Sequence, residues 1–206
     1  MPKPPVKRRP YQSNIRAASA QGTRDAITGA ARTLFVARGY AGTPIELIAR
    51  EAGVAVPTVY AVFGTKRAVL ESMLDAMDRD AGPGGLSAAM QGGSSAAQVD
   101  ELAKFLTRLF TQNGDLIAAT RAASASDAGM RDLARKGTQR HRRETKKIAD
   151  AWARAGALRK GLTAADAAAI LAAVANHGVF ADLKEAGWSA KRYEAWLADA
   201  ITRLML

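Results

Sequence analysis

The side chains best suited to nucleophilic or metal chemistry are scarce in this 206-residue chain, which has no cysteine and only two histidines, His141 and His177. Without thiols there are no disulfides, thiolate nucleophiles or cysteine-bound metals, and two histidines do not make a histidine metal cluster. No glycine-rich loop opens a helix after a strand, as a phosphate cradle does. The sequence therefore offers no catalytic constellation and implies no cofactor, and the expected protein is not an enzyme. What the chain holds in quantity is positive charge, 30 Lys and Arg against 19 Asp and Glu, a net +11. That balance favours polyanions such as nucleic acid or an anionic membrane surface, and charge alone does not choose between them.

The cations gather in two places. Residues 1–22 carry four of the seven prolines together with Lys3, Lys7, Arg8, Arg9 and Arg16 and no acid, which reads as a flexible basic arm. Residues 131–160 hold eleven Lys and Arg against Asp132, Glu144 and Asp150. On one long helix such a run is a solvated face or an anion-attracting patch, partly compensated where Arg140 precedes Glu144 by four.

The elements that must position these groups are helical. From Thr23 onward apolar positions mostly recur at helical spacing, the chain has 46 Ala, and no β-branched run is bounded like a strand, so the fold class is all-α. No apolar run approaches the roughly 18–20 residues of a membrane span, and residues 1–10 lack the apolar core of a secretory signal, so a cytoplasmic protein without membrane contact is expected. Residues 81–95, with Gly82, Pro83, Gly84, Gly85, Gly92 and Gly93, interrupt the helical pattern. They divide an N-terminal unit, 23–80, from a C-terminal one, 96–206.

In the first unit Ile27, Ala30, Ala31, Leu34 and Phe35 mark one helix face, and Gly39 stands where a C-cap belongs. Thr43-Pro44-Ile45-Glu46 reads as a capping box opening a short helix with Ile48, Ala49 and Ala52 inward. After Gly53-Val54 a third helix, Val56–Phe63, turns Val59 and Phe63 inward, and a fourth from Thr65 buries Val69, Leu70, Met73, Leu74 and Met77. Two short helices around a glycine turn are the helix-turn-helix pattern.

The stretch from Thr43 to Lys66 resembles the DNA-binding signature of the TetR (tetracycline-repressor) family of transcriptional regulators. The likeness rests on Ile48-Ala49, the turn Ala52-Gly53-Val54, Thr58 and Tyr60 of the third helix, and Phe63 followed three residues later by Lys66. It covers roughly residues 23–75, with a weaker likeness in Gly187-Trp188-Ser189 and the segment Arg192-Tyr193-Glu194 through Trp196-Leu197. The resemblance implies that the third helix enters the major groove, with Val56, Pro57 and Thr58 at base edges and Tyr60 and Lys66 on phosphates. Thr43 would turn its hydroxyl, or the N-terminus of the second helix, toward a phosphate, and Arg24 is a further backbone candidate. Two positions depart from the family pattern. Ala55 replaces a frequent Ser and removes a side-chain cap worth roughly 1 kcal/mol, which Pro57 partly offsets by pre-setting φ. Val62 stands where many members carry His or an aromatic.

Between Ala96 and Leu206 at least five helices are expected. One carries Val99, Leu102, Phe105, Leu106, Leu109 and Phe110, a short one covers Leu116–Ala123, and a long one Ala128–Ala155. Thr163 opens a fourth with Ile170, Leu171, Val174, Gly178 and Ala181, and Ser189 a last one with Tyr193, Trp196, Leu197, Ile201 and Leu204. In the family this region binds a small effector and dimerises. The last two helices suit a two-fold interface or simply complete the monomer core, and Phe105, Leu109, Thr120, Trp152, Asn176 and His177 are candidates for an effector pocket.

Together these readings imply a homodimeric repressor on a near-palindromic operator of double-stranded DNA, released by a small-molecule effector through a hinge at Leu74–Gly85. A sequence-neutral nucleic-acid binder, using the arm and the 131–160 helix, is the alternative.

Overall fold

A computed structural model describes residues 11–80, 92–125 and 127–206. Among the described residues there are nine helices and no strand: α1 (Tyr11–Arg38), α2 (Ile45–Glu51), α3 (Val56–Phe63), α4 (Lys66–Asp80), α5 (Ser95–Ala123), α6 (Ala128–Arg154), α7 (Ala164–Val174), α8 (His177–Glu185) and α9 (Ala190–Met205). The chain divides into two compact units, Met1–Ser72 and Met73–Leu206. The division falls within α4, upstream of the glycine-rich 81–95 segment, of which 81–91 lies outside the described residues, as does the end of the expected hinge.

In the first unit α1 buries Ile27, Ala30, Ala31, Leu34 and Phe35 as the spacing requires, and Gly39 ends it with φ of +70°, a left-handed conformation suited to glycine. The helix begins earlier than expected. Residues 11–22, read from sequence as the latter part of a flexible arm, are its first turns; they follow the last arm proline, and extending an existing helix through Ala17, Ala18 and Ala20 is cheap. Residues 1–10 lie outside the described residues.

The capping box at Thr43 does not form. Pro44 occupies the N-cap of α2 with no side-chain cap bond, its carbonyl accepting from Leu47 and Ile48. Thr43 is fully buried, and its hydroxyl donates backward to Gly39 O at 2.8 Å and Leu34 O at 3.2 Å. Those are carbonyls at the end of α1 that need a donor when buried, and their claim outweighs that of the solvent-facing start of α2. Gly53 (φ +66°) turns the chain into α3, whose N-cap Ala55 supplies no side-chain bond, as expected. Thr65 caps α4 by accepting from Ala68 N–H, and Val69, Leu70, Met73 and Met77 are buried.

In the second unit Ser94, Asp127, Thr163, Asn176 and Ser189 each accept a bond from the amide three residues on, and so start α5 to α9. Two expected boundaries move. The helices read around Phe105 and around Leu116–Ala123 are one 29-residue helix, α5, because Gly114 sits mid-helix without breaking it. The single helix expected through Ile170, Leu171, Val174, Gly178 and Ala181 is broken at Ala175-Asn176. There Asn176 adopts extended backbone, accepts from Val179 N–H and donates to Ala173 O at 2.6 Å. An Asn side chain competes with helical backbone bonds in this way.

Val99, Leu102, Leu106, Phe110, Ile148, Trp152, Leu171 and Phe180 form the second core with Tyr193, Leu197, Ile201 and Met205. Tyr193, Leu197 and Ile201, offered from sequence as dimer-face residues, are thus fully buried within the chain's own core. Among the described residues, two buried hydroxyls, on Thr107 and Tyr193, have no hydrogen-bond partner. The expectation that no apolar stretch approaches a membrane span also needs correction. Ala164–Glu185 is long and apolar enough by length and composition, but it is divided between α7 and α8, and its Ala167, Leu171, Ala175 and Phe180 belong to the core.

Candidate nucleic-acid interface

The site is built on α3. Its inward anchor is Val59, 1% exposed, opposite Pro57, which is exposed, and Tyr60, 48% exposed. Val56 and Thr58 lie half-buried beside them. A large aromatic left this open on a short helix, with its neighbour locked inward, presents a donor and an apolar ring together to any partner. Few backbone donors are left for that role. Pro57 has no N–H, and those of Thr58 and Val59 go to Ala55 O. Polar contacts from the start of α3 thus fall to side chains.

Two cations flank α3, and both are held by aromatics of the same unit. The Arg24 guanidinium, from exposed α1, lies 4.5 Å from the centre of the Phe63 ring at the end of α3. Lys66 opens α4 and donates from Nζ to Tyr40 O at 2.8 Å, its ammonium 4.3 Å from the Tyr40 ring centre. Tyr40 in turn packs on Phe35 at 5.4 Å, so the position of Lys66 is tied to the core. Sequence reasoning missed Tyr40; an aromatic between Gly39 and Thr43 was the available signal. Thr43 does not join the group, because its buried hydroxyl serves α1.

The charge run of α6 is mostly a solvated face. Asp132 pairs with Arg135, Glu144 with Lys147 and Asp150 with Lys146, all at 2.7–2.9 Å near the surface, where each pair contributes roughly 0–1 kcal/mol. Arg131, Lys136, Arg142 and Arg143 are exposed. His141 is a structural residue: its Nε2 lies 3.2 Å from Ala172 O of α7, and burial pushes its pKa down.

The six candidate effector residues do not converge. Trp152 is buried, and its indole N–H donates to Gln98 Oε1 at 2.8 Å. Thr120 is buried and donates to Leu116 O, Asn176 caps α8, and Phe105 and Leu109 pack against the core. Only His177 lines the groove of about 390 Å³ between α5 and α8, with Phe110, Thr111, Gly114, Asp115, Phe180 and Lys184 among its neighbours. Burial, then the nearby Arg121 charge, lowers the His177 pKa. Helical spacing alone does not reveal this groove, and Gly114 was the available mark. Among the described residues no group of His, Cys, Asp and Glu could hold a metal.

A short helix after a glycine turn, packed on the helix before it and flanked by placed cations, defines a helix-turn-helix DNA-binding protein. The comparisons agree. Residues 27–73 match the model of bacterial regulatory proteins of the tetR family. The chain as a whole has the fold of a TetR-family transcriptional regulator. It is similar to NalD, the secondary repressor of the MexAB-OprM multidrug efflux pump in Pseudomonas aeruginosa, with TM-score 0.75 and 22% identity over 92% of this chain and 98% of that one. A putative TetR-family regulator from Rhodococcus sp. gives 0.71 and 21%, covering 90% and 100%. SmeT in complex with triclosan gives 0.70 and 21%, covering 89% and 91%. No curated protein matches the chain.

Proposed function

We propose that this protein is a cytoplasmic, homodimeric transcriptional repressor that binds a near-palindromic operator through α3 and leaves it when a small molecule occupies the second unit. The observation that carries the reading is the exposed Pro57 and Tyr60 face of α3, set between Arg24 and Lys66. Val56, Pro57 and Thr58 would meet bases mainly by apolar contact with thymine methyls and through the Thr58 hydroxyl, with Tyr60, Lys66 and Arg24 on phosphates. The last helix keeps a partly exposed apolar edge, with Trp196 half-buried and Leu204 38% exposed, on which a second copy could rest. NalD's description as a repressor and SmeT's bound triclosan are consistent with repression and with a small-molecule effector. Coupling requires the ligand to favour one arrangement of the dimer over another.

Selection of bound duplexes from a random pool at near-physiological salt tests the reading, and an inverted repeat is the expected result. On that site Lys66→Gln should weaken binding and reduce the salt slope by about one, whereas Thr58→Ala should change which sites are selected. The exposed Arg131, Lys136, Arg142 and Arg143 favour a second reading, sequence-neutral binding along α6. A pool that returns no motif at any salt concentration would decide for it.

A further inference from the structure

The groove between α5 and α8 carries chemistry that points to a ligand class. Its walls are rings: Phe110 and Phe180 stand 5.7 Å apart between centres, and His177 meets Phe110 edge-on at 5.8 Å. Gly114, Ala118, Ala181 and Ala190 line it with methyl groups or no side chain. A Cβ on Gly114 would stand 2.7 Å from His177 Nε2, so a larger residue there would displace the imidazole. The volume, about 390 Å³, falls within the range of small-molecule sites. The charges at the groove are unequal. Lys184 lines it, and the Arg121 guanidinium reaches the first turn of α8, 3.5 Å from where a Cβ on Gly178 would be. Asp115 is the acid in the lining, and its Oδ1 accepts from Leu116 N–H at 2.7 Å.

We propose that this groove binds a planar aromatic monoanion, its ring against Phe110 and Phe180 and its anionic group at Lys184. The class rests on the reading of the second unit as an effector domain and narrows it. Aromatic walls favour a flat ring in edge or offset contact, while a cationic ligand would meet Lys184 and Arg121 with like charge.

Isothermal titration calorimetry of the full chain with 2-naphthoate, and with 2-naphthamide as its neutral twin, tests the proposal. The acid is expected to bind about tenfold tighter than the amide, as a charge-assisted contact implies. Lys184→Gln, at an exposed position, should erase that preference, and Ala181→Leu should abolish binding of both by filling the groove. The proposal is overturned if the wild-type chain binds neither compound, if acid and amide bind alike, or if Ala181→Leu leaves binding intact in a chain that still melts cooperatively. It also falls if Ala181→Leu lowers the sedimenting mass, because the groove would then be a face between copies. Duplex binding measured without the probe separates the two readings: a recovered operator with no naphthoate binding sinks only the ligand class, and naphthoate binding without an operator sinks only the repressor.

Discussion

The α3 surface and the α5–α8 groove are opposite solutions to recognition. The first, as proposed, works by what it presents, an open Tyr60 and Pro57 on a helix pinned by Val59. The second, as proposed, works by what it omits, with alanines along a groove that a larger side chain would fill. A presenting surface fails when its support is removed, whereas a receiving one fails when it is filled, and substitutions can drive the two apart.

The largest expected effect comes from removing support beneath the presenting surface. Phe35 is 1% exposed and carries Tyr40, which holds Lys66. Phe35→Ala should cost about 3–5 kcal/mol of stability in the first unit and weaken duplex binding, with naphthoate binding unchanged. Calorimetric melting followed by both titrations checks it, and an equal loss at the two sites would break the contrast. Thr43→Val comes next. Leaving Leu34 O and Gly39 O without that donor should cost about 1–3 kcal/mol. A hydroxyl used only inside the protein predicts an unchanged salt slope for the duplex, and a slope reduced by one would restore Thr43 as a phosphate contact. The smallest effect is expected at Tyr193, whose buried hydroxyl has no partner. Tyr193→Phe should leave the melting temperature unchanged or slightly raised, and a clear drop in denaturant midpoint would reveal a hidden partner.

How much was legible in the sequence follows the same division. The core face of α1, the glycine turn, Val59 and the stripe of α4 depend on contacts within a few turns of each residue, and the apolar spacing locates them. The caps at Thr163 and Ser189 are equally local. Thr43 was misread because two helices compete for its hydroxyl, and the sequence order names only the nearer partner. The two helices expected around Phe105 and Leu116–Ala123 are one, and Gly114 within it meets the His177 ring, 63 residues later in the chain. Trp152 and Thr120 looked like pocket residues by type, yet their polar atoms are taken up by Gln98 and Leu116, pairings that no spacing rule supplies. Local order was readable, and choices made by distant partners were not.

Among the described residues, Ala164–Glu185 is the stretch long and apolar enough, by length and composition, to cross a membrane. Asn176 and His177 stand near its midpoint, where a bilayer offers nothing for an amide or an imidazole to bond with. The residue that starts α8 in the finished fold is therefore also a polar interruption near the middle of that apolar stretch.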